Sequence, residues 1–350
     1  MKRHAHRAGP AWKGLVLFAL LALVGCDRSP EAHRFEGPIF GTGYHVTVYG
    51  DFSDRQLTSL KDGIDDALED VDRLMSTYKP ESELSRFNAA PVGEPFALSP
   101  PTAQVIDEAI EIGELSNGAF DVTVGAAVNL WGFGPDKRPD EIPSDAEIAE
   151  ALDEVDFRAL HLNGNRLTKT KPVYVDLSGI AKGYGVDHVA ARLDALGVTS
   201  YLVEVGGEIR TRGTKPGGEP WRVAVEKPVS RERSVQRVLE LEDVAVATSG
   251  DYRNYYEEDG RRYSHTIDPR TGRPITHHLA SVTVVAEQCS TADGLATALE
   301  VLGPKKGMAL ANREDIAAYF IVKTDEGFTT ELSDAFHAYL AEPPSEGGEQ

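Results

Sequence analysis

Val175-Asp176-Leu177-Ser178-Gly179-Ile180-Ala181-Lys182-Gly183-Tyr184 is the stretch where an alternating apolar run gives way to small residues and then to a helical pattern. The spacing predicts a strand over 173–177 and a helix over about 183–196, joined by a turn whose glycines let backbone approach a ligand closely. Free N–H groups at the helix start and the charge of Lys182 suit a phosphate. Short glycine-containing turns are common, so the stretch by itself fits an ordinary strand-to-helix connection equally well.

Upstream of it, residues 44–49 alternate as a half-buried strand. Ser53 with Gln56 then offers a capping box for a helix carrying Leu57, Leu60, Ile64, Leu68 and Val71 and finishing with Leu74 and Met75. A second helix is expected over 105–115, and Ser144 with Glu147 marks a third that ends near Leu152. Downstream, short β-branched runs at 201–205, 221–225, 235–241, 244–247, 281–286 and 317–322 read as strands, with helices at 292–302 and 304–312. Hairpins mixed with helical crossovers predict an α+β fold of mixed, largely antiparallel sheets with packed helices. No repeat and no Pro- or Ser-rich linker divides the middle. One domain is expected over 38–338, with 124–170 as a possible insertion sharing its core, and 339–350 lacks apolar periodicity and is expected to be disordered.

The first 25 residues are not part of this fold. Lys2, Arg3, Arg7 and Lys13 precede an apolar run, 14–24, too short for a permanent membrane span. The run ends in Leu23-Val24-Gly25-Cys26, which resembles a lipobox, so Cys26 is expected to become a lipid-bearing N-terminus followed by a short polar tether over 26–37. Asp27 resembles a retention signal for the inner membrane, which would put the protein on the periplasmic face. Beyond Cys26 only Cys289 remains, so no disulfide framework holds the domain. The formal charge is −20, and the leader carries none of the acidic residues, which argues against nucleic acid as a partner.

Three further patterns bear on chemistry. Asp293 and Thr297 are four apart in a helical run and share a face. A carboxylate, a hydroxyl and a main-chain carbonyl would make a hard-oxygen site for Mg²⁺, although an acidic residue near a helix start needs no metal to explain it. His265, beside the Asp268-Pro269 turn, suits a general base near neutral pH or an ordinary hydrogen-bonded structural role. His277-His278 has no convincing metal-ligand spacing. Residues 75–88 and 118–124 mix rings with polar groups, a lining that suits a flat heteroaromatic ligand and also ordinary core and turn.

Taken together and in order, Phe40-Gly41-Thr42 and the segments 75–88, 118–124, 128–134, 176–187, 203–208, 248–256, 264–272 and 292–299 resemble the ApbE family of FAD:protein FMN transferases over roughly 36–335. The resemblance implies FAD contacts from Phe40, Tyr78, Ala119, Phe120, Asp121, Asp176, Lys182 and Ile267. It also implies Mg²⁺ ligation by the Gly179 carbonyl, Asp293 and Thr297, with His265 as base. One departure is visible: Ala126-Ala127 stands where the family often has Pro-Leu, a change expected to alter a local turn and not the chemistry; members of the family also vary at Lys182.

The implied reaction moves the FMN part of FAD onto a Ser or Thr hydroxyl of an exported or membrane-bound electron-transfer subunit and releases AMP. Two alternatives stay open at this point, hydrolysis of FAD to FMN and AMP and a flavin-binding lipoprotein without turnover.

Overall fold

A computed structural model describes residues 30–135, 142–228, 235–250, 255–258 and 261–341. Cys26 and the leader lie outside the described residues. No helix among the described residues is long and apolar enough to cross a membrane.

Eight strands form the main sheet: β1 (Ala32–Ile39), β2 (Thr42–Tyr49), β3 (Tyr201–Val205), β4 (Glu208–Arg212), β5 (Ala245–Gly250), β6 (Leu279–Ala286), β7 (Ala317–Thr324) and β8 (Gly327–Leu332). Their order across the sheet is their order in the chain, and every neighbouring pair is antiparallel. Helices fill two of the long connections. Between β2 and β3 come α1 (Asp54–Met75), α2 (Glu83–Asn88), α3 (Pro100–Leu115), α4 (Gly125–Leu130), α5 (Asp145–Asp153) and α6 (Ala181–Ala195); α7 (Cys289–Arg313) links β6 to β7. The expected α+β class with largely antiparallel sheet is borne out.

Side-chain alternation explains how both faces of the sheet are covered. In β7, Ala318 and Phe320 join the core under α3 and α7, while Ala317, Tyr319 and Ile321 pack with the hairpin formed by Trp221–Glu226 and Val235–Leu241 and with Phe336. A strand buried on both sides reads as a continuous apolar run, which is why 317–322 was legible as a strand without alternation. At the other end, Tyr44, Val46 and Val48 of β2 pair with Val205, Val203 and Tyr201 of β3. Together these present one face to Leu60, Ile64 and Leu68 of α1 and Val186, Val189 and Leu193 of α6.

Three expectations need correction. Residues 173–177 are buried and extended but form no strand, making one isolated bridge, Val124 with Tyr174. The Asn88 side chain takes the place of a neighbouring strand: its Oδ1 accepts from the Val175 N–H (2.8 Å) and its Nδ2 donates to the Val175 carbonyl (2.8 Å). The stretch read as tether becomes strand β1 from Ala32; its inward set includes Phe35, Gly37 and Ile39, too weakly apolar to announce a strand until paired with β2. The two helices expected at 292–302 and 304–312 are borne out: α7 runs through both, with its helical backbone interrupted at Gly303 (φ 73°), the residue before Pro304. Ala126 and Ala127, expected in a turn, lie inside α4.

Within 124–170 the packing divides. Leu160 and Leu167 join the main core, whereas Ala127, Trp131 and Ile148 make a separate cluster with Tyr263 and Ile267. Of the expected tail, Leu340 bridges Leu239, and 342–350 lie outside the described residues.

Candidate active site

The crossing of α6 on α7 builds the centre of the site. A Cβ on Gly183 would lie 2.3 Å from the Cys289 carbonyl oxygen and 2.8 Å from the Asp293 Cβ, so only glycine lets the two helices approach this closely. At that contact the Gly183 N–H donates to Asp293 Oδ2 (3.0 Å). One turn further along α7, the Thr297 hydroxyl donates to the Gly179 carbonyl (3.3 Å), and the Ser249 hydroxyl lies 3.4 Å from the same Thr297 oxygen.

Asp187, also on α6, fixes where α7 begins. Its two carboxylate oxygens accept from the backbone N–H groups of Cys289 (3.0 Å) and Ser290 (2.9 Å), donors with no partner inside their own helix, and Arg210 of β4 pairs with it.

Lys182 lies between two buried carboxylates. Its Nζ is 2.6 Å from Glu208 Oε1 and 3.7 Å from Asp293 Oδ1. Burial works against the ammonium, yet the charges of Asp293 and Glu208 outweigh it and hold the Lys182 pKa above its ordinary value. Glu208 Oε2 is buried without a hydrogen-bond partner.

The Gly179 carbonyl meets the Thr297 hydroxyl, and Asp293 stands one turn before Thr297 on α7, so the donors at this crossing are all oxygen, a set that fits Mg²⁺. Adjacent ligands of an octahedral Mg²⁺ stand about 2.9 Å apart at bond lengths near 2.0–2.1 Å. The Gly179 carbonyl and the Thr297 hydroxyl, 3.3 Å apart, need little movement to reach that spacing. Among the described residues no cluster of three His, Cys, Asp or Glu could hold a metal, so a site here must draw on carbonyl and hydroxyl oxygens as well.

Aromatic and acidic residues surround this centre. Phe40 sits in the two-residue turn between β1 and β2, where Phe40 (φ 50°) and Gly41 (φ 72°) both adopt the left-handed region. Its ring packs over Gly185, where an added Cβ would meet it at 3.0 Å. Phe120 lies against Gly179, where a Cβ would come within 3.2 Å of its ring, and Ala119 is buried beside it. Asp121 faces its own loop: Oδ1 accepts from the Thr123 N–H (2.8 Å) and hydroxyl (2.6 Å), and Oδ2 from the Phe157 N–H (3.0 Å). Asp176 accepts from the Ser178 N–H (2.8 Å), and burial raises its pKa.

A second group lies along an aromatic ladder. Trp131 stacks on Tyr263, Tyr263 on Tyr256 and Tyr256 on Phe133, with ring centroids 5.2–5.5 Å apart, and His265 meets the Phe133 ring edge-on at 6.3 Å. Ile267 is buried in the cluster at the ladder's base. Tyr78, largely exposed, donates from its hydroxyl to the Phe133 carbonyl (3.3 Å). Partial burial and the charge of Asp176 raise its pKa.

Sequence reading gave no role to Glu208, Asp187, Asn88 or Ser249. Glu208 had the strongest local signal, an acid directly after Gly206-Gly207, but nothing local shows that its partner is Lys182, 26 positions earlier.

The ApbE family model matches residues 40–320. The FAD:protein FMN transferase of Vibrio cholerae serotype O1 is 49% identical over 328 residues, covering 93% of this chain and 98% of that one. A solved structure titled flavin transferase ApbE from Vibrio cholerae superposes with a TM-score of 0.82 over 89% of this chain and 100% of that one, at 49% identity. The apo flavinyl transferase ApbE of Pseudomonas stutzeri gives the same TM-score at 42% identity, covering 90% of this chain and 98% of its own.

Proposed function

The chain belongs to the ApbE family, and on that footing we propose that it does what its relatives are named for, moving FMN from FAD onto an acceptor protein. In the finer reading the acceptor group is a Ser or Thr hydroxyl on an exported or membrane-bound electron-transfer subunit, the second product is AMP, and Mg²⁺ is required. The observation that carries it is the α6–α7 crossing, where Gly183 fixes Asp293 and the Gly179 carbonyl meets the Thr297 hydroxyl.

When bound there, Mg²⁺ would neutralise charge building on the pyrophosphate and the departing phosphate. The Gly179 carbonyl, Asp293 and Thr297 would hold it. Lys182 would meet phosphate oxygens, and Phe40, Tyr78 and Phe120 would pack against the rings, with Ala119, Asp121, Asp176 and Ile267 completing the FAD site. His265 accepts the proton of the acceptor hydroxyl. The freed oxygen bonds to the phosphorus on the riboflavin side, the bond from that phosphorus to the bridging oxygen breaks, and AMP leaves with that oxygen.

Cys26, lipidated, would tether the domain to the periplasmic face of the inner membrane, where membrane-bound acceptors lie. Support for this is the leader sequence and its lipobox-like end.

The test incubates the chain lacking residues 1–25 with FAD and Mg²⁺, with and without an exported redox subunit, followed by in-gel flavin fluorescence and nucleotide analysis. A fluorescent acceptor band with stoichiometric AMP is expected. Free FMN and AMP without a labelled acceptor would assign a hydrolase instead, and intact FAD under every metal condition would remove both enzyme readings.

A further inference from the structure

Beside the Mg²⁺ oxygens lie two buried carboxylates, Glu208 and Asp293, and one partly exposed ammonium, Lys182. The ammonium divides its attention unequally. It makes a full charge-assisted hydrogen bond to Glu208 Oε1 at 2.6 Å and stops 3.7 Å short of Asp293 Oδ1, beyond hydrogen-bond range. Lys182 and Asp293 already form an ion pair at 3.7 Å, and a swing of about 1 Å by Nζ would turn it into a direct charge-assisted hydrogen bond. That hydrogen bond would take a lone pair of Oδ1, while Oδ2 already accepts from the Gly183 N–H. Asp293 would then offer a cation fewer lone pairs and a more fully neutralised charge.

Glu208 is well placed to prevent this. It opens β4 directly after the Gly206-Gly207 turn, whose positive φ angles (60° and 109°) point the chain back over α6, and it is only 3% exposed. Its backbone is locked by the register of β4 on β3, where Val205 faces Glu208. The strand register fixes where the Glu208 side chain starts, its carboxylate is buried, and Oε2 has no hydrogen bond that would draw it away from Lys182.

We infer that Glu208 is a positioning residue for the metal site: it anchors Lys182 away from Asp293 and so keeps Asp293 open to Mg²⁺. Glu208 makes its side-chain hydrogen bond to Lys182 and none to Gly179, Asp293 or Thr297. The inference rests on the assignment of Mg²⁺ to Asp293 made above.

The test is calorimetric titration of Mg²⁺ into the FAD-free protein, so that it reads metal binding and not turnover. Four proteins are compared: wild type, Glu208→Gln, Glu208→Gln with Lys182→Met, and Asp293→Asn, each with a thermal melt to confirm folding. Losing a group that orders a metal's surroundings typically costs roughly 10–100-fold in affinity, and Glu208→Gln is expected to weaken Mg²⁺ by that factor. Adding Lys182→Met removes the competing ammonium and is expected to return the affinity to the wild-type range. A merely structural role for Glu208 gives no such rescue, and a second deletion would then leave binding as weak or weaker.

Glu208→Gln with wild-type affinity, or a loss that Lys182→Met fails to reverse, overturns the inference while Asp293→Asn still abolishes binding. Should Asp293→Asn bind Mg²⁺ as wild type does, the metal assignment itself fails and the inference with it.

Discussion

Replacing Gly183 by alanine tests whether the α6–α7 contact sets the chemistry. The new Cβ would stand 2.3 Å from the Cys289 carbonyl oxygen, where a carbon normally keeps about 3.5 Å, so the helices must part by about 1 Å. Overpacking of this kind costs about 1–3 kcal/mol. Alanine recovers about 1 kcal/mol over glycine inside a helix, leaving a net loss of about 1 kcal/mol. A domain with a typical stability of about 5–15 kcal/mol stays folded at 25 °C after such a loss. Geometry suffers more, because the Gly183 N–H holds Asp293 Oδ2 and a shift of about 1 Å at reacting groups can cost about 10²-fold in rate. The assay measures the initial rate of flavin transfer to an acceptor at saturating FAD and Mg²⁺, with urea midpoints on the same preparations. Gly63→Ala is the comparison: its Cβ would meet the flexible side chain of Arg192 at 3.0 Å, far from the site, and full activity is expected. A Gly183→Ala protein that folds and transfers flavin at the wild-type rate would refute the reasoning, as would a rate loss that merely follows the unfolded fraction.

Thr297→Val keeps shape but removes the hydroxyl that meets the Gly179 carbonyl; the Mg²⁺ concentration for half-maximal transfer should rise by roughly tenfold or more, and Thr297→Ser should stay near wild type. His265→Gln should lower the transfer rate by roughly 10²–10⁴-fold with FAD binding unchanged in a fluorescence titration; an undiminished rate would remove His265 as the base. For pH, burial raises the Asp176 pKa in the folded state, so the folded protein holds a proton that the unfolded chain gives up. Its contribution to stability is complete below the unfolded value of 3.8 and is lost as pH rises through the raised folded value. Asp176→Asn keeps the acceptor for the Ser178 N–H, so the stability difference between wild type and variant, from urea midpoints between pH 3 and pH 7, should favour wild type most at the acid end and shrink upward.

The major helices and most central strands were legible because each is written locally. Helix α1 declares itself through Ser53 at its start, where the Ser53 N–H donates to Gln56 (3.0 Å), and through an apolar stripe that ends in the core. The extended segment at 173–177 was misread for a matching reason: alternation reports which side chains go inward, not what receives the backbone hydrogen bonds. Here the receiver is the Asn88 side chain, 87 positions away in sequence from Val175.

The site divides along the same line. Sequence alone determined that Asp293 and Thr297 share a helix face, since four residues come to about one turn of any α-helix. It also determined that Gly179 and Gly183 allow close approach. Only the tertiary structure decided which carbonyl Thr297 would meet, that Asp187 would cap α7, and that Lys182 would bond to Glu208 while stopping short of Asp293. Periodicity fixes neighbours within an element, because covalent geometry repeats. Neighbours between elements follow from how a sheet buried on both faces packs its helices, a property of the whole chain.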